Sequence, residues 1–219
     1  MTHATRRLER RQCLKIIASG AAALAVPSLA LAGLPAMTEG PFYPSLGWRS
    51  REVDWDADLT RVVRAASSDA ARASGQWLDL GGSVVDAGGR PVDGAEIEVW
   101  QCDVHGSYRH PRGAASQVDE AFQGFGSTRS DARGHYRFRT IKPVPYPGRT
   151  PHIHVRLRHP SFGEMTSQLF IAGEARNSSD FLYRRLSPAD RALVDMALQK
   201  APADSPVAWI AERSLVVGD

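Results

Sequence analysis

Two histidines separated by one residue are the first side chains in this 219-residue sequence that suggest chemistry. His152 and His154 begin a short run that contains branched apolar residues, which predicts a β-strand. Because side chains two positions apart project to the same face of a strand, both imidazoles can reach one metal ion. Taken alone the pair is a weak indication, since His-x-His pairs also occur by chance on strand surfaces and in cores.

Two tyrosines are further candidate ligands. Tyr108 follows a predicted strand across a turn, and Tyr146 lies in a stretch stiffened by Pro143, Pro145 and Pro147. A tyrosine between prolines is ordinarily a packed loop aromatic. A phenol with a pKa of about 10 binds most divalent ions poorly, whereas the charge of Fe(III) favours the phenolate and makes it a hard anionic ligand. Two imidazoles and two phenols would therefore suit ferric iron.

The chain that must position these residues has the pattern of a β-protein. Short alternating or β-branched runs are separated by clusters of Gly, Pro, Asp and Asn, as is typical of antiparallel strands joined by tight turns. We predict an all-β fold, an antiparallel β-sandwich of the prealbumin type over residues 76–219, preceded by an irregular segment over residues 33–75. The predicted strands are residues 78–86, 95–102, 136–141, 152–159 and 167–172.

Alternation within residues 95–102 predicts which side chains face the core. It places Ile97 and Val99 on one face and Glu98 and Trp100 on the other, as in a half-buried antiparallel strand. A last apolar run over residues 207–217 is predicted to close a sheet.

One short C-terminal helix is predicted to pack on the sandwich. Ser187 is its N-cap and Pro188 occupies the first helical position. Its apolar face is predicted to comprise Leu193, Val194, Ala197 and Leu198.

The first 32 residues have the pattern of a cleaved export signal rather than of a folded element. Basic residues are followed by an apolar, alanine-rich run and a small-residue cleavage site, and Arg10-Arg11 resembles a twin-arginine signal. A membrane-spanning helix is the competing interpretation, but Pro27 and polar residues interrupt the run. Cleavage after Ala32 would change the formal net charge from +3 to −1 and leave Cys102 as the one cysteine. We expect a periplasmic or secreted protein.

Charge and motif content exclude several function classes. The positive net charge and the pI of about 9.1 depend on the export segment, so they give no reason to expect an anionic polymer as partner. The sequence has neither a glycine-rich phosphate-binding loop nor a basic stripe interleaved with aromatics. We therefore expect no nucleic-acid partner and no membrane association after signal cleavage.

An ordered series of short motifs resembles the intradiol ring-cleavage dioxygenases, the family of catechol and protocatechuate dioxygenases. The motifs extend over residues 38 to 172, and their order makes a chance resemblance improbable. They are TEGPFY at 38–43, GSVVD at 82–86, GRPV at 89–92, AEIEVWQ at 95–101, GSY at 106–108, FQGFG at 122–126, DARGHY at 131–136, TIKP at 140–143, YP at 146–147, HIH at 152–154 and QLF at 168–170.

The resemblance implies a non-haem Fe(III) bound by Tyr108, Tyr146, His152 and His154. It also implies that Tyr146 acts as a base toward the substrate. Arg149, three residues before the first ligand histidine, would stabilise negative charge on the substrate ring. Gln168, fourteen residues after the second ligand histidine, would be a further catalytic residue. The implied reaction inserts O2 between the two hydroxyl-bearing carbons of a catechol-type ring and gives a cis,cis-muconate-type diacid.

The resemblance also indicates partners and pocket residues. The implied partners are a small aromatic diol and O2, and a homo-oligomer is compatible with the family. Phe42, Tyr43 and Trp48 follow the turn that contributes to the family's substrate pocket, so they are candidate substrate-binding residues. Only residues 147–151 separate Tyr146 from His152, where better-known members have a longer loop, so we expect a more open pocket.

Two other functions fit parts of the sequence. One is a non-catalytic, secreted prealbumin-like module that binds carbohydrate, protein or a small ligand. The other keeps a metal on His152 and His154 but makes it zinc or copper, with a hydrolytic role. The non-catalytic module has no use for the two tyrosines, Arg149 and Gln168 at the spacing of the family.

Overall fold

The computed structural model describes residues 30–44, 54–63, 71–113 and 116–218. Trp48 and residues 1–29 of the predicted export signal lie outside these ranges. Within the described ranges, no helix is long and apolar enough to cross a membrane.

Within the described ranges, the regular structure comprises ten strands, one α-helix and two 3-10 helices. The strands form two five-stranded sheets, one built around β1 and the other in the order β3-β2-β5-β6-β7. The elements in chain order are β1 (Trp77–Asp86), β2 (Glu96–Trp100), β3 (Phe125–Arg129), β4 (His135–Ile141), β5 (His152–His159), β6 (Gly163–Ile171), the 3-10 helices Ala175–Ser179 and Tyr183–Arg185, α1 (Pro188–Val194), β7 (Asp195–Met196), β8 (Gln199–Lys200), β9 (Trp209–Glu212) and β10 (Leu215–Val217).

The first sheet depends on the length of β1. Strand β1 pairs antiparallel with β4, while β9 and β10 pair in parallel with its two halves. Between these halves lies Gly82, where an added Cβ would stand 2.0 Å from the Arg213 carbonyl oxygen. Glycine is therefore required for the chain to pass from β9 to β10 this close to β1.

The second sheet positions the two histidines. Strand β5 lies between β2 and β6 and pairs antiparallel with both. In this register His154 is opposite Trp100 on one side and Gln168 on the other. The ladder therefore brings together three side chains that are far apart in the sequence.

The predicted β-sandwich is confirmed, with parallel pairs among its strands. Its core is apolar, and the fully buried members include Leu80, Ile97, Phe138, Ile153 and Leu157. The parallel partners of β1 and the parallel pair β6 and β7 make both sheets mixed rather than purely antiparallel.

Strand β2 differs from its prediction in one respect. Ile97 and Val99 face the core as expected, but Glu98 and Trp100 on the other face are also buried, at 3% and 1% exposure. The half-buried pattern was wrong because the N-terminal segment and the aromatic residues of the candidate site cover the second face.

The C-terminal elements also correct the sequence interpretation. Helix α1 begins as predicted, with a capping box between Ser187 and Asp190, but it ends at Val194. Ala197 and Leu198 are not on its face, because Asp195 and Met196 leave the helix to pair with β6. The run over residues 207–217 forms two strands instead of one, and β3 was not predicted at all, because Gly126, Ser127 and Thr128 give it little apolar alternation.

Candidate metal centre

The two histidines project from β5 into a buried space at the edge of the core. Both are 2% exposed, and their ring centroids are 4.8 Å apart. The two Nε2 atoms approach to 3.2 Å. The i, i+2 geometry predicted from the sequence is therefore present, and both ring nitrogens converge on one point.

Hydrogen bonding and burial prepare both rings as ligands. His152 Nδ1 donates to the Thr150 carbonyl oxygen at 2.6 Å, which leaves Nε2 with its lone pair. His154 stacks on Trp100 with centroids 4.7 Å apart and planes 10° apart. Burial and the nearby guanidinium of Arg149 lower the pKa of His152 to about 4. Burial, followed by the neighbouring His152, lowers the pKa of His154 well below its ordinary value. Both imidazoles are thus neutral, the form that binds metals.

Tyr108 is carried by a loop that a buried carboxylate organises. Asp103 Oδ1 accepts hydrogen bonds from the backbone N–H groups of His105 and Ser107, both at 2.9 Å. Its other oxygen, Oδ2, accepts from Asp119 N at 2.7 Å. The Tyr108 amide in turn donates to the Gly113 carbonyl oxygen at 2.8 Å. The buried Asp103 side chain therefore stabilises this loop through three backbone hydrogen bonds.

Tyr146 is carried by a tight turn. The Arg149 amide donates to the Tyr146 carbonyl oxygen at 2.9 Å, with Pro147 and Gly148 between them. Gly148 has φ of 81°, which with proline before it matches a type II turn. This turn explains how residues 147–151 suffice to connect Tyr146 to His152. It also places Tyr146 next to Arg149.

The phenols meet the imidazoles in the same space. The Tyr108 ring centroid is 5.5 Å from that of Tyr146 and 6.2 Å from that of His154. The Tyr146 and His152 centroids are 5.5 Å apart. The structure thus brings together all four residues that the sequence nominated as ligands.

The Tyr108 oxygen lacks a partner that a bound cation would supply. Among the described residues the buried Tyr108 hydroxyl has no hydrogen-bond partner. Burial raises the pKa of Tyr108 well above its ordinary value, and the nearby Cys102 and Tyr146 raise it further. Burial also raises the pKa of Tyr146, against the opposing effect of Arg149. Neither phenol would ionise unaided at neutral pH, so a highly charged metal ion fits this donor set.

Cys102 lies beside this centre but offers no reactive thiolate. It is buried in the same aromatic cluster, and burial raises the pKa of its thiol to about 12. Its sulfur atom contacts the Val144 carbonyl oxygen at 3.6 Å. No group of three or more His, Cys, Asp and Glu side chains suited to a metal ion occurs in the described ranges, so the tyrosines are essential to the candidate site.

A buried polar network fixes Arg149. Its Nε donates to Asp180 Oδ2 at 2.8 Å, and Gln168 Oε1 accepts from its NH2 group at 2.5 Å. Gln168 Nε2 donates onward to the Thr38 carbonyl oxygen at 3.1 Å. The predicted pair of Arg149 and Gln168 is therefore in direct contact and is tied to the N-terminal segment.

Asp180 is a member of this network that the sequence did not reveal. Besides Arg149, it accepts backbone N–H bonds from Thr150, Leu182 and Tyr183 at 2.9–3.0 Å. Burial would raise its pKa, but these backbone donors and the guanidinium lower it below its ordinary value. An aspartate 31 residues from its partner in a loop carries no local motif, so only the tertiary contact identifies it.

The candidate substrate-binding residues have different positions. Phe42 stacks on Tyr108 with centroids 4.6 Å apart and lies edge-on to Tyr146 at 6.4 Å. Tyr43 donates to Glu98 at 2.7 Å and packs against Trp100, so it supports the ring that stacks on His154. Trp48 lies outside the described residues.

An open cleft leads to the tyrosine and arginine side of this centre. Its volume is about 590 Å³. Tyr146, which is partly exposed, and Arg149 both line it, whereas Tyr108 is only 3% exposed and does not. The remaining lining residues are Pro145, Pro147, Gly148, Thr150, Arg176, Ser179 and Asp180.

Comparisons with known proteins relate this chain to dioxygenases. A family model described as "Dioxygenase" matches residues 50–208. The chain is 33% identical over 130 residues to hydroxyquinol 1,2-dioxygenase of Corynebacterium glutamicum, which covers 51% of this chain and 42% of that protein. It is 35% identical over 126 residues to the protocatechuate 3,4-dioxygenase beta chain of Burkholderia cepacia, which covers 53% of this chain and 54% of that protein. The chain spans about half the length of these curated relatives.

Solved structures share the fold. The dioxygenase domain of a dioxygenase and carbohydrate-binding fusion from Streptomyces sp. SirexAA-E superposes with a TM-score of 0.62 at 26% identity, over 85% of this chain and 98% of that one. An intradiol ring-cleavage dioxygenase from Tetranychus urticae has a TM-score of 0.64 at 20% identity, over 86% and 95%. The family match over most of the chain, together with these relatives, leads to one conclusion: this chain belongs to the intradiol ring-cleavage dioxygenase family.

Proposed function

We propose that this chain is an exported, non-haem Fe(III) intradiol dioxygenase that cleaves a catechol-type aromatic between its two hydroxyl-bearing carbons. One observation supports the proposal above all: two neutral imidazoles and two phenols converge in a buried space beside a cleft that Arg149 also lines. The substrate would be a small aromatic diol with O2 as co-substrate, and the product a cis,cis-muconate-type diacid that contains both oxygen atoms.

Four side chains would hold the iron: Tyr108, Tyr146, His152 and His154. Bound Fe(III) would supply Lewis acidity and a template that holds the diol. Hard phenolate oxygens favour the ferric ion over the softer or lower-charged ions that a pair of histidines alone would accept. Zinc or copper on His152 and His154 would leave the buried Tyr108 hydroxyl without a partner.

The two tyrosines differ in the role that their surroundings permit. Tyr108 is enclosed between Phe42 and the loop that Asp103 organises, so it can serve only as a fixed ligand. Tyr146 is partly exposed and lines the cleft, so its phenolate oxygen can accept a proton from a substrate hydroxyl. A base at this position would assist the loss of protons that a diol must undergo to bind through both oxygens.

Arg149 would stabilise negative charge on the substrate ring. Its guanidinium is held by Asp180 and Gln168 from two sides, so its position does not need to be organised after substrate binds. Gln168 has one oxygen on Arg149 and its amide nitrogen on the Thr38 carbonyl oxygen. We assign Gln168 and Asp180 the task of orienting this cation.

Oxygen uptake with product analysis tests the enzymatic proposal. Iron-loaded protein should be red-brown, because phenolate-to-Fe(III) charge transfer absorbs visible light. The protein should be assayed with a panel of catechol, protocatechuate, hydroxyquinol and substituted catechols. With at least one of them it should consume one O2 per molecule of diol and release the intradiol product. Tyr108→Phe and Tyr146→Phe should shift or bleach the colour. A colourless protein after iron loading, or an extradiol product, would overturn the proposal.

Export is a separate part of the proposal and needs its own test. Arg10 and Arg11 precede the apolar run and the cleavage site after Ala32. Fractionation of cells that express the full chain should find the processed protein outside the cytoplasm. The double variant Arg10→Lys and Arg11→Lys keeps the charge, and it should leave unprocessed protein inside. Equal export of both forms would exclude the twin-arginine route.

A further inference from the structure

An unpaired cation faces the cleft beside the candidate metal centre. The cleft is lined by two arginines, Arg149 and Arg176, and by one carboxylate, Asp180. Asp180 pairs with Arg149 at 2.8 Å, so these two charges offset each other. Arg176 is exposed and forms no ion pair in the part of the chain that the structure describes. The cleft therefore carries one uncompensated positive charge.

The backbone of Arg176 is held in place relative to Arg149. Arg176 lies in the 3-10 helix Ala175–Ser179, where its amide donates to Glu174 Oε1 at 3.2 Å. The Ser179 hydroxyl donates to the Arg176 carbonyl oxygen at 2.9 Å. Asp180, the residue that caps this helix, is the same residue that binds Arg149. The two guanidinium groups are thus carried on one connected scaffold.

Part of the cleft lining suits an aromatic ring. Pro145, Tyr146 and Pro147 present apolar surface next to the phenol that would act as base. A substrate that places its diol at Tyr146 therefore occupies a cleft that Arg176 also lines. The planar guanidinium binds a carboxylate through two parallel hydrogen bonds, a geometry that no neutral substituent reproduces.

We propose that Arg176 is a specificity-determining residue that selects catechols carrying a ring carboxylate. This inference rests on the proposed dioxygenase function and adds the chemical class of the substrate. The formal net charge of the chain after Ala32 is −1, so no general positive field attracts an anion and the preference must arise locally. The site of the chemistry is unchanged, and Arg176 acts only on the substituent.

Steady-state kinetics with three substrates tests the assignment. Catechol, protocatechuate and the methyl ester of protocatechuate differ in whether a carboxylate is present, and the ester matches the size of the acid. We expect kcat/KM for protocatechuate to exceed that for its ester by about tenfold. Arg176→Gln should abolish this ratio and leave kcat/KM for catechol unchanged. Arg176→Lys should retain part of this acid-to-ester ratio. Added salt should reduce the ratio only in the proteins that carry a cation at position 176.

Arg185→Gln is the matched control. Arg185 is exposed on the next 3-10 helix, Tyr183–Arg185, and does not line the cleft, so its loss changes the net charge by the same amount. The control should keep the preference for the acid. Equal effects of the two variants, or an ester that is used as well as the acid by the original protein, would overturn this inference. Failure of all three substrates with iron-loaded protein would instead contradict the proposed function.

Discussion

The candidate centre combines a half built on a strand with a half built on loops. His152 and His154 project from β5, which is bonded along its length to β2 and β6. Tyr108 and Tyr146 project from connections outside the strands of the sandwich. The strand positions its side chains by the two-residue repeat of the backbone, which is independent of the identity of the neighbouring residues.

The loop half needs particular residues to reach the same precision. Asp103 holds the Tyr108 loop with three backbone hydrogen bonds, and Gly148 permits the turn that presents Tyr146. We therefore expect the histidine half to tolerate changes in its surroundings better than the tyrosine half, which depends on a few residues that never touch the ligand atoms.

Removing a strand-borne ligand should have the largest effect. His154→Ala takes away one of the two converging Nε2 atoms. We expect the iron content to fall and oxygen uptake to drop by at least about 100-fold, since even changes to outer groups of metal sites cost about 10–100-fold. His159→Ala is the control, because His159 lies at the other end of the same strand and contacts Ser161. Retained iron and turnover in His154→Ala would show that the histidine half is not a ligand set.

Asp103→Ala should damage the tyrosine half through its scaffold. Three backbone N–H groups would lose their acceptor, and we expect the free energy of unfolding to fall by about 3 kcal/mol. Denaturant titration measures this loss, and the visible absorption of the iron form should weaken as Tyr108 moves. Asp131→Ala removes a similar but exposed turn carboxylate, which accepts from Arg133 N and His135 N. It should lower the free energy of unfolding much less than Asp103→Ala does and leave the absorption unchanged.

Gly148→Ala should separate function from stability. Gly148 and Gly163 have φ of 81° and 75°, and nothing lies within 4 Å of an added Cβ at either position. Alanine should therefore cost about 1–2 kcal/mol at each, from backbone strain alone. Only Gly148→Ala should also lower kcat and shift the absorption, because its turn carries Tyr146 and Arg149. Equal kinetics in the two variants would remove the special role of this turn.

Acid should loosen the Asp180 network, which holds Arg149 beside Tyr146, slightly before strand β5. The folded-state pKa of Asp180 lies below its ordinary value, so its contribution to stability is present above the unfolded pKa, near 3.9, and is lost as pH falls through the folded pKa. The protection of the Thr150, Leu182 and Tyr183 amides against hydrogen exchange should fall over this range, relative to that of amides in β5. Asp180→Asn should make exchange at these amides less dependent on pH. An equal loss of protection in the Asp180-bonded amides and in the β5 amides would contradict this prediction.

The extent to which the fold and site were predictable follows local periodicity. Strand β5 was predicted with its observed bounds, and the helix start at Ser187 and Pro188 was confirmed, because alternation and capping are encoded by adjacent residues. Strand β3 was missed because its Gly126-Ser127-Thr128 sequence lacks an apolar pattern. The end of α1 was missed because pairing of Asp195 and Met196 with β6 overrides the helical period.

The residue types suggested candidate ligands and the order of the motifs suggested the family, and the resemblance joined Tyr108, Tyr146, His152 and His154 into one predicted ligand set. These sequence features could not indicate that Asp180 holds Arg149, that Tyr43 packs against Trp100, or that Arg176 lines the cleft without an ion pair to any described residue. The reason is physical. Ligand chemistry and the two-residue repeat of a strand are local properties of the chain, whereas ion pairs, burial and cleft walls exist only once distant segments have packed together.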